Sequence, residues 1–174
     1  MKANFTIGNW NNPGFTYYPE WFMELDSALL QLDASGEPIL GGGMLGRQLP
    51  TPNIESGLIV RGTKRMMGLR SRLFRDHPAL LYYVLGGEEL YATYLYHNRW
   101  TDYSENAIAH FRAWLKEKRF ESVAELNRRW KTQYASFQEV EPPRQPDISL
   151  RWLDWLDFRF ASMGERFAWM YQTL

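Results

Sequence analysis

The sequence predicts an α/β fold in which two parallel strands are wrapped by helices. Three observations carry this reading. Phe5 to Asn9 and Leu80 to Leu85 are short apolar runs bounded by turn residues, the pattern of strands. A stretch of helical apolar spacing near 54–75 lies between them, and parallel strands require such a connection. Beyond the second run the chain reads as helix to its last residue, so strand and helix alternate along it.

The first run, FTIGNW, leads into a polar turn at Asn11-Asn12-Pro13-Gly14. Ala28 to Asp33 and Glu37 to Leu40, joined by Ala34-Ser35-Gly36, read as a small hairpin. Gly41-Gly42-Gly43 then opens a loop that runs through Pro50 and Pro52. In the 54–75 helix Ile59, Thr63, Met66, Met67, Leu73 and Phe74 share one side, and five arginines and a lysine form a solvated face. Asp76-His77-Pro78 ends that helix, because the residue before proline avoids the helical region. LLYYVL, Leu80 to Leu85, is continuous enough to be buried on both faces.

Further helices are predicted near 104–118, 122–130 and 149–173. Asp102 with Glu105, and Ser122 with Glu125, have capping-box spacing. In the last helix Leu153, Leu156, Phe160, Met163, Phe167, Met170 and Leu174 repeat every three to four residues and read as its core stripe.

Composition narrows the function. The 174 residues carry 20 Lys and Arg against 20 Asp and Glu, a net charge of zero that argues against nucleic acid as a partner. The absence of cysteine removes disulfides, thiolate nucleophiles and Cys-ligated zinc. His77, His97 and His110 form no metal-binding pair, so neither a metal nor any other cofactor is expected. No apolar run reaches a membrane span, and the first residues lack the pattern of a secretory signal, so a cytoplasmic protein without membrane contact is expected. Length alone suggests one domain spanning 1–174.

One segment carries chemistry. Gly86-Gly87-Glu88-Glu89 follows directly on the LLYYVL run. Side chains alternate along a strand, so only one of the two glutamates can face a site at its end. A carboxyl held in a partly apolar pocket has its pKa raised, which suits a general acid. Aromatic residues lie close in sequence. Trp10 stands at the end of the first strand with Asn11 beside it, and Tyr91, Tyr94, Tyr96 and Trp100 follow the glutamates. Such rings offer sugar faces an apolar platform. The plainer alternative is an exposed acidic turn followed by core aromatics.

The stretches PEWFMELDSALLQLDASGEPI, FRDHPALLYYVLGGEE, AHFRAWLKEKRFESVAELNRRWKTQYASFQEVEPP and WLDWLDFRFAS resemble, in order and spacing, the central part of a family 42 glycoside hydrolase. That family is of β-galactosidase type and is built on a (β/α)8 barrel. The resemblance implies a partial (β/α)8 barrel, helix-rich and with few parallel strands. It places Glu88 on the catalytic acid/base position, with Glu89 the alternative if the loop is shifted by one; Trp10, Asn11, Gly87, Glu89, Tyr94 and Trp100 are the residues expected about the substrate. Gly87 stands where the family has an asparagine that binds the 2-hydroxyl of the sugar. The cysteine cluster that binds zinc in some relatives is missing, and so is a second catalytic carboxylate.

The expected activity is therefore hydrolysis of O-glycosidic bonds in a β-galactoside or related oligosaccharide. A non-catalytic carbohydrate-binding module and a structural, self-associating piece are the alternatives. With two strands in place of a complete barrel, the chain reads as a segment whose open strand edges and apolar stripe favour a homo-oligomer.

Overall fold

The computed structural model describes residues 3–6, 18, 20–42, 48–85, 95–96 and 99–174. Strand β1 (Ala3–Thr6) pairs in parallel with β4 (Leu80–Val84), in the register Phe5 with Tyr83 and Thr6 with Val84. The expected parallel pairing thus forms, with the first strand starting two residues ahead of the expected Phe5 and residues 7–9 of that expectation outside the described residues. The described residues form no closed barrel.

Between them lie α1 (Glu20–Met23), a 3-10 turn (Ser27–Leu29), the antiparallel pair β2 (Leu40–Gly42) and β3 (Gln48–Pro50), and α2 (Gly57–Phe74). The hairpin expected at 28–40 exists in shortened form. Leu32 bridges Pro38, and Asp33 Oδ1 accepts from the Ser35 hydroxyl and from the Ser35 and Glu37 amides, at 2.7 to 2.9 Å. Gly36 closes the turn at φ +87°, a conformation open to glycine at little cost. The glycine run differs from expectation, since Gly41 and Gly42 lie in a ladder. Gly41 pairs with Leu49 and Gly42 with Gln48. Neighbouring backbone bonds (Gln31 to Thr51, Ile39 to Gln31, Thr51 to Ile39, Asn53 to Leu29) extend this layer and override the low strand propensity of glycine.

Helix α2 buries Ile59, Thr63, Met67 and Ser71, one residue every fourth position, and leaves Leu73 outside. Arg61, Lys64, Arg65 and Arg72 are exposed as expected. His77 Nδ1 accepts from the Ala79 amide at 3.2 Å just beyond the helix. On β4, Tyr83 packs with Leu85 against the α2 side, and its hydroxyl donates to the Ser71 carbonyl at 3.2 Å. The run is not buried on both faces, for Leu81 and Tyr82 are 56% and 50% exposed.

After the two-residue strands β5 (Leu95–Tyr96) and β6 (Arg99–Trp100) come α3 (Glu105–Trp114), a wide π turn (Leu115–Arg119), α4 (Val123–Trp130) and α5 (Leu150–Thr173). The cap of α3 is Ser104, not Asp102. The Ser104 hydroxyl accepts from the Ala107 amide at 3.3 Å, while Asp102 Oδ1 accepts from the Ser104 and Leu32 amides. Ser122 caps α4 as expected through the Glu125 amide, although Glu125 reaches back to the Glu121 amide.

Two cores result. One is aromatic, with Tyr103, Phe111, Phe120, Trp130, Trp152, Trp155 and Phe158 around Leu115, Leu126 and Val140. The other gathers Met23, Leu29, Ile54, Ile59, Met67 and Met170. Helix α5 spans both, by a face that takes in only part of the expected stripe: Met170 is buried, and Leu156 and Phe167 pack against the cores. Its buried side carries Trp152, Trp155, Arg159, Ser162, Arg166 and Met170, whereas Leu153 and Phe160 are each 50% exposed. Charged residues share the buried face with aromatic ones. Asp154, fully buried, accepts from Trp130 Nε1 at 2.7 Å and Arg119 Nε at 2.8 Å.

Candidate functional site at the strand ends

The parallel pairing of β1 with β4 brings their C-terminal ends together at Thr6 and Val84. In folds with parallel strands, ligands bind at this edge because the loops that follow the strands converge there. By chain order Trp10 comes four residues after Thr6, and Glu88 four residues after Val84. Trp10, Asn11, Gly87, Glu88, Glu89 and Tyr94 lie outside the described residues, so of the expected site only Trp100 can be located.

Trp100 ends β6, half-buried, with its indole edge-on to Trp152 at 5.0 Å between centroids. It forms one wall of an open pocket of about 620 Å³, with Asp33, Ser35, Arg144 and Gln145 among the other lining residues. The polar groups of this wall are largely engaged in holding it. Arg144 donates to the Ala34 carbonyl at 2.8 Å and lies over the Tyr103 ring, and the Tyr103 hydroxyl donates to the Pro143 carbonyl at 2.7 Å. Thr101 is bridged to Asp33, accepts from Gln31 Nε2 at 3.0 Å, and precedes a cis peptide bond to Asp102. The Trp100 indole thus stands beside a hydrogen-bonded support.

A charged cluster that sequence reasoning missed joins α2, α3 and α5. Glu55, just ahead of α2, accepts from His110 Nδ1 at 2.9 Å and from the Ser162 hydroxyl at 2.6 Å. Arg159 reaches within 3.7 Å of it, and Glu165 lies 3.1 Å from His110 Nε2. Burial pushes the Glu55 carboxyl up, but the His110 hydrogen bond, the Arg159 charge and Ser162 outweigh it and hold the pKa at about 2. The hydrogen bond to Glu55 raises His110, against its burial. Burial likewise raises Asp102. The signal available beforehand was slight: Arg159, Ser162 and Arg166 recur at helical spacing on one face of α5. Among the described residues no group of three or more His, Asp or Glu side chains could hold a metal ion.

Comparison with known proteins places the chain. The model of the glycoside hydrolase family 42, described as beta-galactosidase, matches residues 13–174. A search of curated proteins finds no match. Among solved structures, the beta-galactosidase from Bacillus circulans sp. alkalophilus is similar with a TM-score of 0.66 and 19% identity over 90% of this chain and 23% of its own. The beta-galactosidase from Rahnella sp. R3 gives 0.67 and 19% over 90% and 22%, and the exo-carrageenase from Bacteroides ovatus gives 0.62 and 19% over 93% and 21%. The chain thus spans between a fifth and a quarter of the length of these enzymes, with which it shares its fold. By the match over nearly all of its length, the chain belongs to the family 42 glycoside hydrolases.

Proposed function

We propose that the chain is a partial (β/α)8-barrel segment of β-galactosidase type, in which Glu88 serves as general acid/base in hydrolysing an O-glycosidic bond. The supporting observation is the parallel β1–β4 pair, whose strand ends precede Trp10 and Glu88 by equal lengths of chain. Glu88 protonates the glycosidic oxygen as the bond to the anomeric carbon breaks, and later accepts a proton from the attacking water. A retaining mechanism needs a second carboxylate about 5–5.5 Å away, which in this reading comes from outside the 174 residues. Trp10, Tyr94 and Trp100 offer ring faces to the sugar, while Asn11 and Glu89 serve its hydroxyls.

The test is hydrolysis of 4-nitrophenyl β-galactoside by the wild type, Glu88→Gln and Glu89→Gln. Loss of a general acid costs about 10²–10⁴ in rate, so Glu88→Gln falls by that factor and Glu89→Gln keeps most activity. Equal rates in all three would overturn the assignment. One observation favours a second, non-catalytic carbohydrate-binding reading, namely the glycine at 87 in place of the family's asparagine. Its signature is galactose binding by calorimetry without turnover.

We also propose self-association through the outward residues of α5, where Leu153 and Phe160 stand half-exposed. Sedimentation at micromolar concentration checks this. A monomer in wild type and in Leu153→Glu/Phe160→Glu alike would exclude it.

A further inference from the structure

The junction of α2, α3 and α5 is built around one imidazole. His110, in the middle of α3, is bracketed on both ring nitrogens by carboxylates: Glu55 at 2.9 Å on Nδ1 and Glu165 at 3.1 Å on Nε2. Both nitrogens can donate only in the charged ring, because a neutral imidazole offers one donor and one acceptor. Phe158 meets the ring edge-on at 5.0 Å and fixes its plane. Glu55 is held in turn by the Ser162 hydroxyl and by the nearby Arg159 guanidinium, both from α5.

We propose that His110 is a proton-operated latch, which ties the α2 entry and Glu165 of α5 to α3 while it is charged and lets go of Glu165 when it loses its proton. The neutral ring keeps one donor and turns its other nitrogen, as an acceptor, toward a second acceptor. One of the two carboxylate contacts then becomes a lone-pair repulsion. The contact with Glu165 is the one released, since that side chain is 55% exposed and can turn to water, whereas Glu55 is 11% exposed and anchored on three sides.

The groups facing His110 among the described residues are Glu55 from the turn before α2, and Glu165 and Arg159 from α5. The two carboxylates favour the charged ring, led by the hydrogen bond to Glu55, while burial and the Arg159 charge oppose it, and the net direction is upward. The sign follows. With the folded pKa above the ordinary 6.5, the latch contributes fully below pH 6.5 and is lost as pH rises through the raised value. The proposal is independent of any glycosidase activity.

The experiment uses the whole chain. The imidazole protons of its three histidines are titrated by NMR, with the His110 signal identified by its loss in His110→Gln. Melting temperature is followed from pH 5.5 to 9 in wild type, His110→Gln and Glu165→Gln. His110 is expected to titrate above 6.5, and Glu165→Gln to move that midpoint downward. The wild-type melting temperature is expected to fall with rising pH by more than that of His110→Gln. If His110→Gln does not fold, the partly exposed Glu165→Gln carries the test alone. A His110 midpoint at or below 6.5, or one that Glu165→Gln leaves unmoved, would overturn the latch.

Discussion

Replacing Asp154 by alanine removes the acceptor on which three residues of the C-terminal half converge. Its carboxylate, fully buried, takes bonds from Trp130 Nε1 and Arg119 Nε, and Arg129 Nε stands at 3.6 Å. The donors differ in their access to water. Arg119 has a side chain 32% exposed and rehydrates on losing its partner, which limits its share to about 1 kcal/mol. The Trp130 indole N–H is buried, and a buried donor without a partner costs about 1–3 kcal/mol. Together these give about 3 kcal/mol, the lower end of the roughly 3–5 kcal/mol for breaking a buried pair. With a urea slope of about 2 kcal/mol/M, the unfolding midpoint falls by about 1.5 M. A double-mutant cycle with Trp130→Phe, which keeps the ring and removes the donor, isolates the indole contribution. A midpoint shift under about 0.5 M, or a coupling energy near zero, would refute the assignment of Asp154 as the hub.

Two further outcomes are expected. Lys131 caps α4 in the left-handed region, at φ 58° and ψ 47°, so Lys131→Gly relieves a side-chain clash and raises stability by about 0.5–1 kcal/mol, readable as about 1–4 °C in Tm, while Lys131→Ala brings no such gain. Glu55, held at about 2 against an ordinary 4.5, contributes stability above pH 4.5 that is lost as pH falls toward 2, so the acid limb of a melting-temperature profile is expected to flatten in Glu55→Gln.

The elements legible in the sequence are those whose determinants are local. Pro78 through its ring and Ser122 through its hydroxyl mark helix ends by local chemistry, and the parallel strand pair follows from two apolar runs separated by a helix. Legibility fails where a partner distant in sequence decides. The buried face of α5 carries Asp154 and Arg159, which meet Arg119, Trp130 and Glu55 elsewhere, so an apolar-stripe reading finds only the part of that face that holds Leu156, Phe167 and Met170. Gly41 and Gly42 lie in a ladder because Leu49 and Gln48 come alongside. The candidate site divides in the same way. Trp100 stands out as an aromatic residue downstream of the acidic pair, but the pocket beside it is made by Asp33 and Arg144, far off in both directions along the chain.

The pairing of Ala3 with Leu80 also sets a timetable. About 77 residues separate the two, and a ribosome adding about 5–20 residues per second needs on the order of 4–15 s to pass from one to the other. For that interval β1 is made and its partner is not. Helix α5 packs on α3 and α4, its near predecessors, and also on α2, a contact that closes over a still longer stretch of chain. The strand pair that supports the candidate site is thus, with the α2–α5 contact, a non-local part of the fold, and its first strand waits unpaired while the chain is being made.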